Sequence, residues 1–146
     1  MKQLLKFLRL PIAEKKLFFH ALYLLTIYRI RLRTIPIQQL FYRVQSLSQT
    51  NLPAIPGPVS PARMARLIRI ASHFIPGSTC LSNALAGQIL FSSYGHKTRL
   101  HIGVARDQEN TLEAHAWLSL EGATIVGGLP DLDRYKELPS LPTNNS

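Results

Sequence analysis

The sequence predicts an α+β domain in which helices come first and an antiparallel meander follows. Three observations carry this. Apolar residues recur at helical spacing over the first two-thirds of the chain, and from Thr98 onward the period switches to alternation. The two regimes occur in separate blocks rather than interleaved, which argues against a parallel sheet. At 146 residues and 46% hydrophobic, the chain is long enough to bury a core within one ordinary domain.

Taken in order, Pro11 suits the first turn of a helix and Pro36 forbids its continuation. Between them Leu17, Ala21, Leu24, Leu25, Tyr28 and Leu32 form one face, while Lys15, Lys16, Arg29 and Arg33 lie mostly elsewhere. A second helix is expected over 37–48, with Ile37, Leu40, Phe41, Val44 and Leu47 on one side. "NLPAIPGPVSP" (51–61) holds four prolines and a glycine and reads as a linker or extended strap. Ser60-Pro61 then supplies an N-cap and a first-turn proline for a helix to about Phe74, with Met64, Leu67, Ile68 and Ala71 inward. Pro76-Gly77 ends it. Ser78 or Thr79 caps the next helix, Cys80 to about Ser93, whose expected buried stripe is Leu81, Ala84, Leu85 and Ile89.

In "TRLHIGVA" (98–105), Leu100, Ile102 and Val104 alternate with Arg99, His101 and Gly103. "LEAHAWLSL" (112–120) alternates Leu112, Ala114, Ala116 and Leu118 with Glu113, His115, Trp117 and Ser119, and "ATIV" (123–126) is a short third strand after a tight turn at Glu121-Gly122. Pairing of the first two strands about position 108 would set His101 opposite His115. The tail "LPTNNS" is expected to fray. The chain thus divides into a basic helical region (1–50), a Pro-rich linker (51–60) and a third part (61–146).

The formal charge of +9 is concentrated at the front. Residues 1–50 hold nine basic side chains against Glu14 alone, while the remainder holds eight against seven. Such a surface attracts anionic partners: an acidic peptide, a lipid headgroup or nucleic acid. No nucleic-acid motif accompanies it, and nucleic acid ranks last. "LFFHALYLLTIY" (17–28) is too short to span a bilayer, which takes about 20 apolar residues. "MKQLLKFLRL" begins like an export signal, but Pro11, Glu14 and "RIRLR" break the pattern. A cytoplasmic protein is expected, with peripheral membrane contact left open.

One cysteine excludes an internal disulfide and a cysteine-based zinc site. It is either an inert small hydrophobe or a nucleophile. Its position brings the second level with the first, because spare backbone N–H groups and the helix dipole at a first turn stabilise both a thiolate and the oxyanion of a tetrahedral intermediate. A cysteine nucleophile needs a base, and His115, in the strand "AHAW", is the candidate.

"PGSTCLSNALAGQILFSSYGHKTRLHIGVAR", "LEAHAWLSLEGATIVGG" and "RYKEL" together resemble the transglutaminase-like leader peptidases of lasso-peptide biosynthesis, the microcin-processing family. The likeness covers roughly 61–140, and "FLRLP" is similar to that family's N-terminal extension. It implies a papain/transglutaminase-like cysteine peptidase core, a Cys-bearing helix packed on a small antiparallel sheet, with an N-terminal helical extension. By that likeness Cys80 is the nucleophile and His115 the general base and acid, and the reaction removes the leader from a ribosomally made precursor. The implied partners are the precursor's leader, a small precursor-recognition protein and a later ATP-dependent cyclase. No phosphate-binding loop is present, so no cofactor is expected on this chain.

The chain departs from the pattern at Gly127, where many relatives carry the aspartate that orients the imidazole. Asp131, Glu121, a backbone carbonyl or water are the substitutes. His101 and Trp117 are candidates for lining a substrate groove; a metal held by His101 and His115 would lack a third ligand. His73 and His96 are expected at the surface, His20 inside, and Gln88 as packing or surface rather than an oxyanion donor. Two other readings stay open: acyl transfer to an amine on the same fold, and a non-catalytic adaptor that binds a partner through the basic front helices.

Overall fold

The computed structural model describes residues 2–49, 59–77 and 79–138. The order is α1 (Lys2–Leu8), α2 (Ile12–Thr34), α3 (Ile37–Gln49), α4 (Pro61–Ser72), α5 (Cys80–Ser93), β1 (Arg99–Arg106), β2 (Leu112–Leu120), β3 (Ala123–Val126), a 3-10 turn at Leu132–Arg134 and β4 (Lys136–Glu137). All strand pairs are antiparallel, in the sheet order β3-β2-β1-β4. The α+β class and the helix-then-meander order follow the sequence reading. The Pro-rich segment up to Pro58, Ser78 and the "LPTNNS" tail lie outside the described residues. Among the described residues no helix is long and apolar enough to cross a membrane.

Prolines and caps set the helix ends. Ile35 leaves α2 in an extended conformation before Pro36. Ser60 caps α4, its hydroxyl accepting from Arg63 N at 3.3 Å, with Pro61 in the first turn. Glu14, the one acid of the first fifty residues, accepts two hydrogen bonds of 3.0 Å from the Arg63 guanidinium. This bidentate pair ties the start of α2 to the start of α4.

Helix α5 is the centre of the molecule. The sequence stripe predicted one buried face, but Ser82, Ala84, Leu85, Ala86, Gly87, Gln88, Leu90 and Phe91 are all buried. The reason is packing from every side: α2, α3 and α4 cover part of the circumference, and the sheet covers the rest. A helix apolar all round is a core helix, and its small residues let neighbours approach closely. Gln88 is 2% exposed, so it packs, and its Oε1 has no hydrogen-bond partner among the described residues. One buried cluster runs from Leu17 through Val44 and Ile68 to Val126, so the front helices share their core with the Cys-bearing helix and the sheet.

Ala116, Leu118 and Val126 are buried against α5, joined by the partly buried Leu100 and Ile102. Glu113, His115, Trp117 and Ser119 therefore occupy the outer face, as the alternation predicts. The register corrects one expectation. Gly103 pairs with His115 and His101 with Trp117, so the strands fold about position 109 rather than 108. Asp107 accounts for the extra residue: its carboxylate accepts from Glu109 N and Thr111 N, holding a turn in which Asn110 has φ 64°. Two elements had no sequence signal, the amphipathic α1 and the two-residue β4.

A side chain at Gly87 meets this packing directly. A Cβ there would stand 3.0 Å from Leu118 Cδ1 and 3.7 Å from Val126 Cγ2. Gly87→Val is expected to destabilise the fold by about 1–3 kcal/mol through overpacking, read as a lowered Tm in thermal denaturation; an unchanged Tm would place α5 farther from the sheet.

Candidate active site

The first turn of α5 presents Cys80. Thr79 Oγ1 accepts from Ser82 N at 3.2 Å, and Ser82 Oγ accepts from Thr79 N at 2.9 Å, a reciprocal capping box. Asn83 N donates to Thr79 O at 3.0 Å. Of the four N–H groups that a helix leaves unpaired at its start, two are thus engaged. Those of Cys80 and Leu81 have no partner among the described residues. Cys80 as a residue is partly buried and packs against the apolar cluster without being sealed inside it.

His115 stands on the outer face of β2. Its Nε2 lies 2.6 Å from the carbonyl oxygen of Gly127. A carbonyl only accepts, so Nε2 carries the proton and Nδ1 keeps its lone pair. The imidazole is further confined by Trp117 at 6.1 Å, stacked within 16°, and by Tyr135 at 5.5 Å. Gly127 reaches the ring because its φ is +80°, a conformation that turns its carbonyl out of the β3 line. A Cβ there would be 2.7 Å from Ala116 O. A residue with a side chain could not sit on this backbone without moving Ala116 or Trp117, and the ring is held by a main-chain oxygen.

His101 and Trp117 come together as a stacked pair, centroids 5.3 Å apart and planes within 8°. They line an outer-face cleft of about 390 Å³ with Arg99, Ser119 and Glu137. Both His101 nitrogens are engaged, Nδ1 with Glu137 Oε1 at 2.5 Å and Nε2 with Ser119 Oγ at 2.7 Å. Asp131 makes no hydrogen bond to His115 among the described residues. Its carboxylate accepts from Arg134 Nε at 3.1 Å, and the same guanidinium donates to Glu113 and to Arg106 O. Glu121 is exposed in the turn at φ 51°. Tyr135 donates to Glu113 at 3.2 Å, and its phenol is pushed above the usual range, first by desolvation and then by that carboxylate. His73 is exposed, His96 is partly buried with its ring 6.1 Å from Phe91, and His20 is half-buried with its pKa lowered by desolvation. Among the described residues no group of three or more His, Cys, Asp or Glu is placed to hold a metal.

Helix α5 packs on the inner face of the sheet, where Ala116 and Leu118 are buried, whereas His115 stands on the outer face. Gly87 packs on Leu118, and one turn nearer the start of α5, Asn83 lines a groove with Gly127 and Gly128. At Asn83, α5 thus borders the groove that the backbone after β3 lines. No hydrogen bond joins the thiol to the imidazole among the described residues. Sequence reasoning had weighed a backbone carbonyl as orienter without a residue to assign. Glu137 and Tyr135 went unnoticed because β4 is only two residues long.

The Gly127 contact makes a spectroscopic prediction. In its neutral form the His115 ring should be the Nε2–H tautomer, read in long-range proton–nitrogen correlation spectra. A proton on Nδ1 in the neutral ring would contradict the assignment.

Comparison with known proteins agrees with this architecture. A family profile described as the transglutaminase-like superfamily matches residues 22–140, from within α2 to beyond β4. No curated protein and no solved structure shows significant similarity to the chain. A match over most of the chain, on a Cys-bearing helix packed against a small antiparallel sheet, shows that the chain belongs to the transglutaminase-like superfamily.

Proposed function

We propose that this protein is a cysteine peptidase that removes the leader from a lasso-peptide precursor, with Cys80 as nucleophile and His115 as general base and acid. The superfamily supports cysteine-based acyl chemistry in general. The leader-peptidase reading adds the likeness carried by the "TCLSNALAG", "LHIGV" and "AHAW" segments. The observation that carries it is the His115–Gly127 bond, which supplies an orienter where the expected carboxylate is missing.

In this reading the Cys80 sulfur attacks the scissile carbonyl and its proton passes to His115 Nδ1. The N–H groups of Cys80 and Leu81 receive the oxyanion. Collapse breaks the C–N bond, His115 returns the proton to the leaving amine, and a thioester remains. Water, deprotonated by the same nitrogen, then releases the acid and restores the thiol. The thiol and imidazole must close on each other when substrate binds, as catalytic hydrogen bonds commonly tighten only in the complex. A carbonyl holds the ring's tautomer but carries no full charge to offset an imidazolium, so turnover should be slower than with a carboxylate. The precursor's leader, presented by a small recognition protein on the basic front helices, is the proposed partner system; an ATP-dependent cyclase would act on the released core.

The test is incubation of precursor with the wild-type chain and its partner, followed by mass spectrometry. Cys80→Ala should abolish leader removal while the fold is kept, and His115→Ala should lower the rate by about 10²–10⁴-fold. Cleavage by Cys80→Ala would end the claim. An added primary amine that appears in the product instead of water would identify acyl transfer, and no Cys80-dependent product at all would favour a binding module.

A further inference from the structure

Strand β3 is a sheet edge that packs near α4 and borders a groove. It pairs with β2 alone. Among the described residues, none of the backbone hydrogen bonds formed outside helices and strands involves residues 123–128. Natural edges are commonly blunted by charge, proline or a covering element. "ATIV" has no charge and no proline, and it is followed by two glycines, Gly127 and Gly128. The edge instead faces α4 across a groove of about 440 Å³.

The facing helix surface is specific. Ala62, Ala65, Arg66 and Arg69 line the groove, and their spacing puts them on one stripe of α4. The alanines leave width for a backbone, and the two arginines, both exposed, stand over it. Among the described residues neither guanidinium has a hydrogen bond or ion pair, and no acidic residue lines the groove. Asn83, three residues from Cys80 on the same helix, is among the lining residues.

We propose that this groove binds an extended acidic peptide segment, which adds to β3 as a further strand and aims the chain toward Cys80. Strand addition supplies main-chain hydrogen bonds, and alternate side chains supply selectivity. Carboxylates two residues apart on one face of a strand are about 6.6 Å apart. Arg66 and Arg69, about 4.5 Å apart along the helix axis, reach both with their long side chains. Acidic side chains thus point at α4, and the alternate set points away from it. This rests on the peptidase reading for its substrate; the groove itself does not need the chemistry.

The test measures binding without turnover. The full chain carrying Cys80→Ala is titrated against a short fluorescein-labelled peptide of alternating Glu and Thr, its Lys-for-Glu counterpart, and the Glu–Thr peptide N-methylated at alternate amides. The acidic peptide should bind at least about tenfold more tightly than the Lys peptide. R66E/R69E, two surface changes checked by circular dichroism, should remove that preference, and N-methylation on one set of amides should weaken binding while methylation on the other set does not. The proposal is overturned if the acidic and basic peptides bind alike, if R66E/R69E leaves the preference intact, or if neither methylated set matters. Because Cys80 is absent throughout, failure here leaves the peptidase reading standing, and a failed cleavage assay leaves the groove standing.

Discussion

Everything in this molecule is arranged around one helix that is buried through most of its middle and partly exposed at both ends. Helix α5 is wrapped by α2, α3, α4 and the sheet, so its axis cannot tilt without disturbing several interfaces at once. Its first turn, by contrast, is closed by a local device, the Thr79–Ser82 box. A rigid body with a capped, partly open N-terminus is a good mount for a reactive side chain. It fixes position through packing that is remote from the chemistry, and it leaves two main-chain N–H groups beside the thiol.

The second support is the corner at Gly127. A glycine with positive φ bends the chain after β3 so that one carbonyl faces β2 and holds His115, while the neighbouring backbone borders the groove beside Asn83. A residue with a side chain would collide with Ala116 O on this backbone. The positive φ and the lack of a side chain at Gly127 therefore go together with the carbonyl contact to His115. A main-chain carbonyl orients the ring without bringing a full negative charge to it.

Much of this was legible in the residues themselves. The four inward positions of α4, the start of α5 at Cys80 and the bounds of β2 and β3 follow from capping chemistry and period. The rest was hidden for physical reasons. Burial of α5 on all sides depends on which neighbours surround it, and its apolar run looks the same whether one or three helices cover it. The one-residue shift in register comes from Asp107 closing a turn with its own carboxylate, a side-chain effect that alternation does not record. Glu14 and Arg63 read as surface charges until the fold joins them. The Gly127 contact is made by a main-chain oxygen, which no residue type announces.

The central claim is that the Cys80 thiol and the His115 imidazole work as a pair, although no hydrogen bond joins them among the described residues. The most direct measurement is the rate at which a small alkylating agent modifies Cys80 at one neutral pH, in the wild-type chain and in His115→Ala. The account predicts that removing the imidazole slows modification by at least about tenfold, because the ring no longer accepts the thiol proton. Equal rates in the two proteins would mean that the sulfur and the imidazole never meet, and the account would be wrong.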